Sequence, residues 1–266
     1  MRKYQLITNV LKSENMSSKI FKKLVKTAYK PILSKTAIEQ KEELLSKYFG
    51  TVWMNKDEKW PCLDDDEKIP ALCVLQLNIS TLPDEYKNKL GGSGLLQFFY
   101  QYNGGRYGSD SLVRKITNFE NGSFVSQPLE SGIDKYKEKT IVEWKATKDY
   151  PHQQDVYEGD DVEKILDGEE YDLDELIELT EEYDCIQGDK LGGWPFYSQG
   201  VENLGTFIFQ IDAGCFYDGK KFPANAKELF AGDGTGHIFI EEFEWLEDSE
   251  KLDKEENIYV FNWACG

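Results

Sequence analysis

Histidine is almost missing from this 266-residue chain, which has two, His152 and His237. The scarcity closes most routes to a zinc site and to a histidine-activated nucleophile, because either would have to recruit one of these rings. No H-x-E, H-E-x-x-H or Cys/His cluster occurs, and no G-x-S-x-G elbow. His152 follows Tyr150-Pro151 and is expected in a loop, while His237 opens a strand-like run and reads as packing. Cysteine is sparse too: Cys62, Cys73, Cys185, Cys215 and Cys265 lie far apart, with no C-x-x-C pair. An odd, scattered set fits buried free thiols in a reducing compartment, so a cytoplasmic location is expected. No apolar run approaches the roughly 18 residues that span a bilayer, and no secretory leader follows Met1-Arg-Lys, so no membrane association is expected.

Positive charge is also short, with 31 Lys and Arg against 49 Asp and Glu for a formal charge of −18. A field of that sign repels phosphate backbones and argues against nucleic acid as a partner. Its ordinary use is solubility; its sharper use is attraction of a basic protein partner. The deficit is uneven. Residues 1–48 hold eleven Lys or Arg against four acids, whereas residues 155–189 hold sixteen acids and one lysine. The basic N-terminal segment is therefore expected to lie against part of this acidic body. Carboxylates are too plentiful for close pairs to identify a general acid or base. The run Asp64-Asp65-Asp66-Glu67 lacks the ligand spacing and glycine of an EF-hand loop and reads as a solvated turn.

What is present is the patterning of a β-rich body. With 40% hydrophobic and 14% aromatic residues, a chain this long buries roughly 75% of its unfolded surface without metal or disulfide. Residues 1–50 read as helical. Ser17 and Ser18 cap a segment whose face is Ile20, Phe21, Leu24, Val25 and Ala28, ending near Pro31; a second begins at Thr36, with Glu39 completing a capping box and Gly50 as the stop. Strand-length apolar runs follow at 72–79 (LCVLQLNI), 94–102, 112–119, 140–147, 204–211 (LGTFIFQI), 236–243 and 257–263. Asp172 is placed to cap a short acidic helix through Leu173, Leu176 and Ile177.

An internal repeat organises these runs. Trp60-Pro61 lies sixteen residues before Gln76, and Trp194-Pro195 lies sixteen before Gln210; VLQLN at 74–78 matches IFQID at 208–212. GGSGLL at 91–96 then matches DGTGHI at 233–238, which sets His237 against Leu95. The fold expected is α+β, mainly antiparallel sheet from a duplicated β-rich unit, with N-terminal helices. It forms a single domain of residues 1–266: a helical segment 1–50, repeats over about 51–150 and 185–266, and an acidic insertion at 151–184. Two such units bury their apolar faces against each other.

The same residues carry a family resemblance. The succession Trp60-Pro61, LQLN, Leu82-Pro83 and GSGLLQFFY resembles the first half of the YwqG-like family of uncharacterised bacterial proteins. Lys190-Leu-Gly-Gly-Trp-Pro-Phe resembles its K-x-G-G-x-P block, and FIFQID with Gly232-Asp-Gly-Thr-Gly its later strand and turn. Where the first half would read F-G-G-x-P it has Phe49-Gly-Thr-Val-Trp. The resemblance spans roughly residues 40–245 and implies an α+β fold dominated by antiparallel sheet, with no activity attached.

Candidate site residues are few. Gly232-Asp-Gly-Thr-Gly opens a strand rather than a helix, which excludes a phosphate cradle and makes Asp233 a turn former. Gln76 and Gln210 are amides inside apolar strands, related by the repeat; they read either as amides satisfied by backbone or as the floor of a cleft flanked by Trp60 and Trp194. The candidate ligand-binding set is thus Gln76, Gln210, Trp60, Trp194 and Asp233. No catalytic residue, metal ligand or cofactor is assigned. The function expected is non-enzymatic binding of a basic protein in the manner of a toxin-immunity protein, a use to which LFAGDGTGHIFI adds a local likeness to the Smi1/Knr4-like group. The alternative is a small molecule, bound or turned over in a cleft between the repeats.

Overall fold

The computed structural model describes residues 16–35, 44–63, 69–101, 111–183, 185–197, 199–200, 204–213, 216–217, 220–221, 229–230, 234–241 and 259–265. Most of the helix expected from Thr36, together with Cys215 and Asp233, lies outside them. The chain begins with α1 (Met16–Phe21), a 3-10 turn to Leu24 and β1 (Lys26–Leu33). There follow β2 (Lys47–Tyr48), β3 (Val52–Asn55), β4 (Leu72–Asn78), α2 (Asp84–Lys89), β5 (Leu95–Tyr100), β6 (Ser111–Ile116), β7 (Gly122–Val125) and β8 (Lys139–Asp149). The acid-rich segment forms α3 (Gln153–Glu158), α4 (Asp160–Ile165) and α5 (Leu173–Glu182). Then come β9 (Lys190–Gly192), β10 (Thr206–Asp212), the small pair β11 (Phe216–Tyr217) and β12 (Lys220–Lys221), β13 (Thr235–Ile240) and β14 (Tyr259–Ala264).

The architecture is α+β and mainly antiparallel sheet. Ten strands bond in the order β14-β13-β10-β9-β1-β8-β2-β4-β5-β6. About the β1–β8 seam the order is symmetric: β9, β10, β13 and β14 on one side answer β2, β4, β5 and β6 on the other. The sheet curls until its edges meet, with the rings of Phe98 on β5 and Phe261 on β14 at 4.3 Å. Curling hides both edges and encloses one shared core. Tyr48, Leu75, Leu77, Leu96 and Phe98 enter it from one half, and Leu191, Phe209, Ile211, Phe230 and Ile238 from the other. The outer face is covered differently in the two halves. In the first, β3 pairs with β7 over a small cluster of Val52, Met54, Cys73 and Phe99. In the second, α1 and α3 to α5 pack around Leu24, Val162, Leu176, Trp194 and Phe196.

The expected strands are present as β4, β5, β6, β8, β10, β13 and β14, and Asp172 caps α5 by accepting from the Glu175 N–H at 3.2 Å. The N-terminal segment is a correction. The helix read from Ser17 to Pro31 ends at Phe21 with its 3-10 turn, Lys26–Leu33 is β1, and Lys47–Tyr48 is β2 rather than the end of a second helix. The cause is tertiary. Leu24 and Ala28 have helical spacing, but β1 is the central strand, bonded to β8 along its length and to β9 at Ala28 and Tyr29. Pro31 is tolerated because β9 has ended before it, so one side of β1 asks for no further N–H there. The basic segment does lie against the acidic one: Ser17 donates to Glu175, Lys23 to Glu169 at 2.6 Å and Lys26 to Asp161 at 2.7 Å. Among the described residues no helix is long and apolar enough to cross a membrane.

Candidate functional site

Each half carries one polar row across its strands. Register places Lys47, Gln76, Gln97 and Arg114 side by side on β2, β4, β5 and β6. Lys190, Gln210, His237 and Asn262 stand in the same relation on β9, β10, β13 and β14. Directly opposed residues share a face, so both rows point to the outer layer. Their hydrogen bonds also repeat. Gln76 Oε1 accepts from the Trp53 N–H at 3.2 Å and its amide donates to the Leu45 carbonyl at 3.4 Å. Gln210 Oε1 accepts from the Phe196 N–H at 2.8 Å and its amide donates to the Gly188 carbonyl at 2.8 Å.

These bonds revise the sequence correspondence. His237 answers Gln97, not Leu95, and bonds the Phe196 carbonyl at 3.0 Å as Gln97 bonds that of Trp53 at 2.8 Å. Burial holds the imidazole at a pKa of about 3, with Lys190 adding to the effect, so this ring is neutral and structural. Trp194 answers Thr51 rather than Trp60, since the N–H of each meets the carboxylate that pairs with the lysine of its row. Matching tryptophans by letter misplaced the loop because the segment before the repeated glutamine is longer in the first half.

The two lysines are fully buried. Lys190 Nζ meets Asp149 at 2.9 Å, and Asp149 also accepts from the N–H groups of Tyr150, Ile186 and Trp194. Such saturation is what a buried ion pair needs to survive desolvation. Lys47 Nζ meets Glu138 at 3.0 Å; burial lowers its pKa and Glu138 opposes that. Gly193 and Gly50 sit under these carboxylates with φ of 82° and 73°, and a side chain at either would collide with the acid.

Of the residues singled out by sequence, Gln76 and Gln210 are thus closed off by backbone on separate strands. Trp60 donates to the Ala71 carbonyl at 2.8 Å and packs edge-on against Phe99. Trp194 donates to the Leu24 carbonyl at 2.7 Å, with Lys26 Nζ 3.6 Å from its ring centre. They do not gather around one opening. A cleft of about 660 Å³ opens instead between β1, α2, α4 and β10. Its walls are Lys26 of β1, Glu85, Tyr86 and Lys89 of α2, Asp160, Asp161 and Lys164 of α4, and Thr206 and Phe207 of β10. First half, second half and acidic insertion all contribute. Lys89 pairs with Glu85 at 2.9 Å and Lys26 with Asp161. Burial, then the charge of Glu85, raises the Tyr86 phenol pKa and keeps the phenol neutral.

Behind this cleft stands Asp155, 3% exposed, whose Oδ2 accepts the His152 N–H at 2.8 Å in a capping box. Burial raises its carboxyl pKa to about 7, against the pull of that hydrogen bond and of Lys190 and Lys26, with Asp149 reinforcing the rise. Burial also lowers the His152 pKa, helped by Lys190. The spacing His152-x-x-Asp155 is the one sequence signal that could have found this acid; nothing separates Asp160 and Asp161 from the surrounding carboxylates. Among the described residues no group of three or more His, Cys, Asp or Glu is placed to hold a metal ion.

A model of a family described as a domain of unknown function (DUF1963) matches residues 46–265. The match starts one residue before β2 and ends one after β14, leaving α1 and β1 outside although β1 is central to the sheet. No curated protein and no solved structure matches the chain.

Proposed function

The chain belongs to the DUF1963 family of domains of unknown function, and from that premise we propose that it is a YwqG-like, non-enzymatic cytoplasmic protein that binds a small polar molecule in the cleft between its two halves. The observation that carries this is the cleft itself: about 660 Å³, walled by both halves, with ammonium, carboxylate and phenol groups converging on it. That size and mixture suit a metabolite-sized ligand. Neither described histidine lines it, and the buried thiols Cys73 and Cys185 are held protonated by burial, Cys73 at about 12. Free thiols suit a reducing compartment.

The test is a thermal-shift screen of small polar compounds against the chain and a Thr206→Trp variant that fills the cleft. A ligand present at a hundredfold over its Kd is expected to raise the melting temperature by about 5 °C, and the variant is expected not to respond. A hit that stabilises both proteins equally would place its site elsewhere. A second reading, a basic protein partner of the toxin-immunity kind, is favoured by the exposed acids Asp174, Glu178, Glu181 and Glu182 of α5. A pull-down eluted by a salt gradient separates the two, since steered association weakens with salt. Part of the acidic surface is already neutralised within the chain by Lys23 and Lys26, which weighs toward the cleft.

A further inference from the structure

The cleft has an inner recess of about 20 Å³ shared with its wall of Asp160, Asp161 and Phe207 and bordered further in by Asp155, Trp194 and Tyr197. That is room for about one water-sized group. Its chemistry is uneven: carboxylates and aromatic rings line it, with the Lys26 ammonium beside it. Asp155 is nearly fully buried; one oxygen holds the His152 N–H, and the other has no hydrogen-bond partner among the described residues. An acceptor with no partner in the fold is available to a donor that enters the recess.

An independent observation says what fills it. The ammonium of Lys26 already sits at the edge of this recess, 2.7 Å from Asp161 and 3.6 Å from the centre of the Trp194 ring. A carboxylate on one side and an aromatic face on the other is a setting that attracts cations. Lys26 is paired with Asp161 and the deeper Lys190 with Asp149, which leaves Asp155 and Asp160 as the acids of the recess with no ion pair among the described residues.

We propose that the recess binds the primary ammonium group of the small molecule held in the cleft, with Asp155 as its buried counter-ion and the neighbouring rings as its walls. The inference rests on the cleft reading above and names the chemical class of its ligand. Size adds to the specificity: –NH3+ has about the volume of a water molecule, whereas a trimethylammonium group is several times bulkier and is expected to enter less readily. An N-acetylated amine lacks the charge. Selection therefore comes from a fit that disfavours bulk and an acid that disfavours neutrality.

The experiment is isothermal calorimetry of the full-length chain with ethanolamine, putrescine and the common amino acids, each beside its N-acetyl and N-trimethyl counterparts. Thermal shift on the Asp155→Asn and Thr206→Trp variants runs alongside. Asp155→Asn keeps an oxygen for the His152 N–H, and its melting temperature reports folding separately from binding. Expected is one-to-one binding of a primary amine, weakened at least about tenfold by either modification and by Asp155→Asn. Two results overturn the ammonium assignment: an N-acetyl or N-trimethyl form that binds as tightly as its parent, or an Asp155→Asn variant that is folded and binds unchanged. Silence of the whole amine panel overturns it as well. In each case the cleft reading stands if the broader screen yields a ligand that Thr206→Trp blocks, and falls if that variant changes nothing.

Discussion

The two halves of this molecule use one backbone plan and reach different ends. Both hang an outer loop on the same pins: a buried lysine, a carboxylate beneath a left-handed glycine, and a strand glutamine that captures one N–H and one carbonyl. What differs is the cover. Over the first row Arg114 bonds Gln97 at 2.9 Å and meets Glu58, and the β3–β7 pair shuts the face. Where the first half has Phe49, strained at φ 54° and stacked on Tyr136 at 4.3 Å, the second has Gly192, whose missing side chain admits the Tyr86 hydroxyl. A ring plugs one position and a polar group enters the other. The lesson is that the pins are structural in both halves, while the open, charged cleft beside the second arises from the layer laid over it.

The largest test of that comparison removes the lysine from each row. Lys190→Met strands Asp149, whose side chain is wholly buried, and is expected to cost about 3–5 kcal/mol in urea denaturation. Lys47→Met leaves Glu138, which is 29% exposed and free to turn to water, so a change within about 1 kcal/mol is expected. Equal losses would mean that the pins are equivalent in energy as well as in position.

A pH series sharpens the contrast next, because Asp155 has no counterpart in the first half. The groups facing it are His152 on its own segment, Lys190 of β9, Lys26 of β1, Asp149 of β8, and Asp160 and Asp161 of α4. Its carboxyl titrates near 7 in the fold and near 3.8 unfolded, so between those values the folded chain holds a proton that the unfolded chain has lost. Its contribution to stability therefore falls as pH rises through that window and is level above it. Asp155→Asn is expected to match the parent at low pH and to exceed it at pH 8 by a few kcal/mol at most, measured by denaturation at both. An advantage that does not grow with pH would remove Asp155 as the titrating group.

The smallest effect comes from making the rows alike. His237→Gln gives the second half the residue of the first, and the amide can keep the bond to the Phe196 carbonyl; stability within about 1 kcal/mol of the parent is expected. A larger loss would assign the ring a packing role, against Tyr197 and Phe207, that Gln97 does not have.

Strands of one continuous apolar run were legible because their residues are buried on both faces, as in Leu72–Asn78. β1 was not, since its burial alternates weakly and its lysines and proline resemble a solvated helix until β8 and β9 are beside it. The glutamine pair was found from sequence by its oddity, a polar side chain in an apolar strand; the acids of the cleft were hidden by their abundance.

The sequence by itself determined the β-rich class, the repeated strand chemistry around Gln76 and Gln210, and the attraction of a basic N-terminal segment for an acidic insertion, since these depend on residue type and local order. Only the tertiary structure decided which copy residues are equivalent, where the cleft opens, and which carboxylate is buried enough to titrate near 7. Register and burial are properties of how strands distant in the chain meet, and no local pattern contains them.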